Sequence, residues 1–272
     1  MNDFRLIEQE KIRLGTHGEN YGSWMSTPVF FMIGGGALLA LALAVGSLVW
    51  LHVVVLAALF GLVAMALMGL LGLCLWIRRQ YAAKGGGLME KVHAHVLANL
   101  DFDGQGTLLE VGCGSGALAI RAALTWPEAR VIGVDSWAPV YFYSRAGCMK
   151  NAASEGVGMR CIFRQGDARK LDLPDESVDA LVSNYVYHNI VGCDKQALLR
   201  ESLRVLKKGG VFAINDSMRP NLYGDIEAFA QSLRDDGYEE VRIIDTTREV
   251  FGGPLHASIM MLAGSRMIVG RK

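Results

Sequence analysis

Formal charge is missing from a long early stretch of this sequence. The 58 residues from Asn20 to Ile77 contain no Asp, Glu, Lys or Arg, and His52, Tyr21 and Cys74 are their only titratable side chains. Nearly all the charge lies before Asn20 or after Arg78. Paired cysteines are missing too. The five cysteines, Cys74, Cys113, Cys148, Cys161 and Cys193, are scattered without a Cys-x-x-Cys pair. That excludes the usual metal-site spacing, and an odd count fits reduced, buried thiols better than a disulfide framework. An excess of one sign is the third absence. With 27 basic and 27 acidic residues the chain offers no argument for a polyanionic partner, so nucleic acid is not expected.

The charge-free stretch is long enough for two membrane spans, since about 20 apolar residues cross roughly 30 Å of hydrocarbon. It divides at Trp50-Leu51-His52, which suits an interfacial turn, into helices over Val29–Val49 and Val53–Ile77. Small residues recur on one face of each, at Gly36, Ala40 and Ala44 and at Ala57, Gly61 and Gly69. Such faces let helix backbones approach closely. A cleaved signal peptide would need one short apolar core and a cleavage site, and this stretch is too long and starts too far in. Lys11 and Arg13 precede the first span, Arg78, Arg79 and Lys84 follow the second, and the turn carries no basic residue. The positive-inside rule then expects both ends in the cytoplasm.

The expected organisation is an N-terminal segment over 1–28, the two spans, a linker over 78–90 with the flexible Lys84–Gly87, and a catalytic domain over 91–272. After a lead-in helix from Leu88, apolar strands alternate with helical patterns. Strands are predicted at Thr107–Val111, Arg130–Val134, Met159–Arg164, Val178–Ser183, Val211–Asn215, Val241–Ile244 and Ser258–Val269. Helices are predicted at Ala117–Leu124, Val140–Ser154, Gln196–Leu206 and Ile226–Leu233. This is an α/β pattern, a Rossmann-like seven-stranded, mostly parallel sheet with an antiparallel closing strand, preceded by the helical hairpin.

The most informative stretch is Glu110-Val111-Gly112-Cys113-Gly114-Ser115-Gly116, a buried strand running through a glycine-rich turn into a helix. Glycine is needed where the backbone turns tightly and approaches a ligand with no Cβ in the way. Asp135 ends the second strand, nineteen residues beyond Gly116, where a carboxylate can accept from ribose hydroxyls. Asp167 follows the third strand and can bond an adenine amino group. Gly112-x-Gly114-x-x-Ala117 also satisfies a dinucleotide fingerprint, so an NAD-dependent oxidoreductase stays open as an alternative. Against it stand Glu110, Gly116, the placement of Asp167, and a closing strand pair in place of a second nucleotide half.

On these residues the chain resembles the class I S-adenosylmethionine-dependent methyltransferases, especially the type-11 or quinone-methyltransferase-like branch. The resemblance covers roughly Lys91–Lys272. It implies that Glu110, Gly112, Cys113, Gly114 and Gly116 contact the methionine part of the cofactor. It further implies that Asp135 and Ser136 lie at the ribose, that Asp167 and Ala168 read the adenine, and that Asn184 lines the methionine side. Leu206-Lys207-Lys208-Gly209-Gly210 is similar to the family's Leu-x-Pro-Gly-Gly turn, with Lys208 in place of proline.

Methyl transfer is an in-line displacement, so the protein mainly orients reactants and excludes water; a general base is required only for a protonated nucleophile. Tyr187 and His188, beyond the fourth strand, are the candidates to orient or deprotonate an acceptor, expected to be a lipid or other small lipophilic molecule. A module that binds the cofactor without turnover is the alternative of another class. Trp137 and Tyr141 are candidate adenine flanks, and His256 is a weaker candidate for the substrate side. His93 and His95 read as surface residues. Glu19–Met25 reads as an interface anchor or as a lid.

Overall fold

The computed structural model describes Arg5, Leu6, Gln9, Ile12, Leu14, Tyr21 and residues 27–82, 86–139 and 142–272. Apart from Tyr21, the Glu19–Met25 segment lies outside these, as do Lys84, Gly85 and Tyr141. The described residues divide into two compact units, residues 27–88 with 142 forming one and the remainder the other.

The smaller unit is a helical hairpin of α1 (Thr27–Val49) and α2 (Val54–Tyr81). Both helices are longer than the expected spans. Pro28 is tolerated in the first turn of α1, while Arg78 and Arg79 complement the dipole in the last turn of α2. The pairing is antiparallel: an added Cβ on Gly36 would lie 3.4 Å from Leu67 and one on Gly34 3.7 Å from Leu71, while Arg78 sits 5.2 Å over the Phe30 ring. Ala37, Ala40, Ala44 and Ser47 are buried in this contact. On α2 the inward face runs through Ala57, Gly61, Ala64, Leu67 and Leu71, whereas Gly69, expected on it, is exposed. Heptad-like spacing explains the change, because position 69 falls between the inward turns at 67 and 71. Large apolar side chains such as Phe31, Leu38, Val55 and Met65 face outward.

The larger unit begins with α3 (Leu88–Ala98) and alternates β1 (Thr107–Val111), α4 (Ala117–Thr125), β2 (Arg130–Asp135), α5 (Arg145–Ser154), β3 (Cys161–Gln165) and β4 (Val178–Asn184). It continues through α6 (Lys195–Arg204), β5 (Leu206–Ser217), α7 (Pro220–Tyr223), α8 (Ile226–Asp235), β6 (Glu239–Ile244), α9 (Thr246–Glu249), α10 (Pro254–Ile259) and β7 (Ser265–Arg271). The seven strands lie in the order β3-β2-β1-β4-β5-β7-β6. Strands β1 to β5 pair in parallel, and β7 runs antiparallel between β5 and β6. Strands buried on both faces need continuous apolar runs, and Leu108, Leu109, Val111, Ala180, Leu181, Val182, Phe212, Ala213 and Ile214 supply them at 1% exposure or less.

Three expected elements of the larger unit differ by more than two residues at an end. Helix α5 starts at Arg145 rather than Val140, because Ser144 caps it with its hydroxyl accepting from the Gly147 amide at 3.1 Å. Lys207–Gly210, expected as a turn, belongs to β5, whose register shifts opposite Val178/Ala180 with Gly209 at φ +75°. That is how a bulge absorbs extra residues. The expected strand from Ser258 is instead α10, begun by Pro254 at its first turn, and β7 starts only after Gly264 at φ +72°.

His93 and His95 are buried, at 7% and 5% exposure, not on the surface as expected. Helix α3 packs on nearly all sides, so even residues two apart are covered. Burial, with the charge of Arg121 adding, pushes His93 down to about 3, and burial pushes His95 down to about 4. The unfolded chain takes up a proton at each near 6.5, whereas the folded chain does not. Their contribution is therefore complete above pH 6.5 and is lost as pH falls toward 4, at up to about 1.4 kcal/mol per pH unit each. Glu110, raised by its own burial, works with the opposite sign. Melting of the full chain in micelles from pH 7 to pH 5 should fall less steeply for His93→Phe than for the parent. Equal slopes would contradict this.

Candidate functional site

The parallel order reverses between β1 and β4, since β2 and β3 lie on one side of β1 and β4 and β5 on the other. A crevice opens at the carboxyl ends of strands at such a switch point, and open α/β sheets bind ligands there. The glycine turn lies at this point. Gly112, Gly114 and Gly116 have φ of +76°, +53° and +83°, the left-handed region. The turn is pinned from several directions. The Ser183 hydroxyl donates to the Val111 carbonyl at 2.8 Å, and the Gly114 carbonyl accepts from the Trp137 indole at 2.9 Å and the Cys148 thiol at 3.1 Å.

Two carboxylates hold the loop in shape. Glu110, 3% exposed, accepts from the Ala119 amide at 2.7 Å inside the first turn of α4. Burial pushes its carboxyl well above the ordinary range, against the pull of that amide. Asp135, at the tip of β2, accepts from the Gly114 amide at 2.7 Å and the Trp137 amide at 2.6 Å, which ties the β1 and β2 loops together. Trp137 itself sits at φ +46°, a conformation stabilised by these contacts. Ser136 is exposed beside it. Cys113 is buried within the turn, and its Cys148 contact together with burial raises its thiol.

Asp167, at the end of β3, is paired with Arg169 through contacts of 2.6 to 3.0 Å, and that hydrogen-bonded guanidinium holds its carboxyl below the ordinary value. Ala168 follows it, partly covered. Asn184 ends β4; its amide NH2 points to the Met89 sulfur at 3.4 Å and its oxygen accepts from Asn215 at 2.8 Å, which in turn accepts from Thr246 at 2.8 Å. The fold thus gathers the glycine turn, Asp135, Asp167 and Asn184 along one edge of the sheet.

The two candidate acceptor-side residues part company. Tyr187 is wholly buried in the core with its hydroxyl on Ser202 at 2.7 Å, and burial raises it further from ionisation. His188 is partly exposed and its Nδ1 donates to Asp216. His256 is exposed on α10, its Nδ1 donating to the Phe251 carbonyl at 3.0 Å. Asp216 escaped sequence reading because the expected strand stopped at Asn215. The signal was present in the polar run Asn215-Asp216-Ser217 after four apolar residues, at the carboxyl end of a parallel strand.

A separate concavity of about 700 Å³ lies at the opposite edge of the sheet, among Arg5, Asp101, Asp179, Lys207 and Arg271. Its charges neutralise one another through Arg5–Asp101, Arg271–Asp101 and Lys207–Asp179 pairs of 2.7 to 2.8 Å. It is at the amino ends of the strands, away from where this fold binds ligands.

Residues 109–214 match the family model of the methyltransferase domain. A demethylmenaquinone methyltransferase of Roseiflexus castenholzii is 35% identical over 42% of this chain and 44% of its own length. A sterol 24-C-methyltransferase of Aspergillus fumigatus is 31% identical over 48% of this chain and 33% of its own. The chain thus spans less than half the length of these two relatives. Among solved structures, geranyl diphosphate C-methyltransferase from Streptomyces coelicolor A3(2) superposes with a TM-score of 0.54 at 16% identity, covering 70% of this chain and 81% of that one. The cyclase SpnF superposes at 0.53 with 22% identity, covering 67% and 80%. At that identity the likeness is one of fold. The match over residues 109–214, less than half of the chain, is to a methyltransferase domain, and the unit around the glycine turn and the acids on the strand tips has the Rossmann-like methyltransferase fold.

Proposed function

We propose that this chain transfers the methyl group of S-adenosylmethionine to a lipophilic acceptor, and that the hairpin anchors the catalytic domain to a membrane. The observation that carries the reading is the carboxyl edge of the sheet, where the left-handed glycine turn and Asp135 are held in one hydrogen-bonded unit. The residues fit the cofactor. Gly112, Gly114 and Gly116 carry no Cβ, the Asp135 oxygens retain lone pairs for ribose hydroxyls, and Asp167 with Ala168 would read the adenine. Gly112, Cys113, Gly114 and Gly116, with Glu110 beneath them and Asn184 opposite, would hold the methionine end, and Ser136 would lie at the ribose. When bound, S-adenosylmethionine supplies a methyl group activated by its sulfonium charge. The protein's part is orientation and exclusion of water.

The lipophilic acceptor is supported by the quinone and sterol named for the two relatives and by the hairpin. Both helices are long and apolar enough to cross a membrane, with outward-facing large apolar side chains and almost no buried surface of their own. Topology adds an independent argument. The Arg121 guanidinium, on α4, donates to the carbonyls of Gln9 and Ile12, and the Gln9 side chain meets Thr125 at 3.0 Å. Chain on both sides of the hairpin therefore belongs to the same unit, which supports a reading with both ends of the hairpin on one side of a bilayer. By the positive-inside rule, the basic residues flanking it favour the cytoplasm for that side. Tethering would raise the effective concentration of a membrane-dissolved acceptor.

The test is methyl transfer from labelled cofactor by the full chain in vesicles containing a total lipid extract. Label should partition with the organic phase. Label confined to water-soluble products would overturn the lipophilic reading.

A further inference from the structure

The methyl-transfer reading leaves the chemistry of the acceptor open, and the side chains beyond β4 bear on it. Asp216 is 0% exposed at the end of β5, and four donors are aimed at its carboxylate. One oxygen accepts from the amides of Tyr187 at 2.8 Å and His188 at 3.3 Å. The other accepts from the Ser217 amide at 2.6 Å and from His188 Nδ1. A carboxylate can only accept, so Nδ1 carries the proton, and a neutral imidazole then has its lone pair on Nε2. No hydrogen bond occupies Nε2 among the described residues, and the side chain keeps 20% of its surface. The same short turn carries His188 directly from the tip of β4, beside Asn184 and one strand from the glycine turn.

We infer that His188 is a general base oriented by Asp216, and that the acceptor therefore carries a hydroxyl proton, as a phenol or enol does. This rests on the methyl-transfer reading. An alkene gives up its proton only after attack and an amine would carry charge at neutral pH, whereas a neutral hydroxyl suits both a base acting before attack and a lipophilic acceptor. With a hydroxyl the balance closes. The acceptor oxygen passes its proton to Nε2 and forms the new O–C bond, the S–C bond breaks with its electron pair going to sulfur, and the imidazolium is held against Asp216. Among the described residues, no competing charge is paired at Nε2. Tyr185 faces the ring edge-on at 6.3 Å with its hydroxyl on Ser265, Tyr187 and Tyr223 are buried neutral, and the Lys195 ammonium is held on the Ile190 carbonyl.

The experiment uses the full chain in micelles with labelled S-adenosylmethionine and three acceptors: a dodecylphenol, a sterol side-chain alkene and phosphoethanolamine. A fourth acceptor, a nitro-substituted dodecylphenol, is ionised at neutral pH without help. The expected result is label in the phenols alone. His188→Gln and Asp216→Asn should lower kcat on the unsubstituted phenol by roughly 10² to 10⁴-fold. Both should keep near-parent rates on the nitrophenol and parent affinity for S-adenosylhomocysteine. Because Asp216 is buried, its variant is read only if it binds that ligand; His188→Gln, at a partly exposed position, carries the test regardless. Equal loss on both phenols would reduce the pair to a structural role and overturn the inference. So would label in the alkene or amine, or in no acceptor. Absence of S-adenosylhomocysteine binding by the parent would instead overturn the methyl-transfer reading itself.

Discussion

Gly112→Ala is expected to destabilise the protein by about 3 kcal/mol and to abolish cofactor binding. The added Cβ would lie 2.2 Å from one Val186 methyl, 2.5 Å from the other and 2.8 Å from the Val186 Cβ. A β-branched side chain has no alternative rotamer that clears all three, so backbone must move. The position also sits at φ +76°, which carries a penalty for any L-residue with a Cβ. The Gly112 amide donates to the Val134 carbonyl at 2.7 Å, so movement there disturbs the register of β1 on β2 as well as the loop. Gly114→Ala provides the contrast. Its added Cβ would meet only the edge of the Tyr143 ring at 3.4 Å, and its φ of +53° is one that Cβ-bearing residues do adopt. Thermal melting and S-adenosylhomocysteine titration of the two variants should separate them clearly. A Gly112→Ala protein as stable as Gly114→Ala would contradict the packing described for the turn.

Asp135→Ala is expected to weaken S-adenosylhomocysteine binding by roughly 10² to 10⁴-fold, the loss of two hydrogen bonds to a charged group at about 1.5 to 3 kcal/mol each. The same change removes the acceptor for the Gly114 and Trp137 amides, so the loop loses its tie to β2 even before ligand arrives. Asp167→Ala should cost less, within about tenfold, because that carboxylate is half exposed and already paired with Arg169. Calorimetric titration of both variants measures the difference. Equal losses, or a larger loss at Asp167, would mean that the ribose end is not held at β2.

Much of the fold was legible in the sequence alone. Parallel strands buried on both faces must be unbroken apolar runs, so β1, β2 and β4 stood out within a residue of their observed ends. The glycine turn was legible because glycine is strongly favoured where φ is positive three times within five residues. The hairpin was legible because 58 residues without charge suffice for two spans and far exceed one buried core helix. What was missed depended on tertiary packing. His93 and His95 looked like surface residues by type, yet the helix that carries them has Val92, Ala94, Val96, Leu97 and Ala98 all buried around them. Tyr187 looked like an acceptor-side hydroxyl, but the short turn after β4 sends it inward to Ser202 and leaves His188 outward. Asp216 needed the pairing of β4 with β5 to come within reach of His188, and no local pattern encodes a partner 28 residues away. The helix α10 overrode a strand-like apolar run because Pro254 supplied a helix start just ahead of it.

The most direct test of the central claim is calorimetric titration of the full-length protein in micelles with S-adenosylhomocysteine, beside a parallel titration with NADH. The account predicts saturable heat with the first ligand at one site per chain, lost in Asp135→Ala, and none with the second. Heat with NADH alone, or binding of S-adenosylhomocysteine that Asp135→Ala leaves untouched, would contradict it.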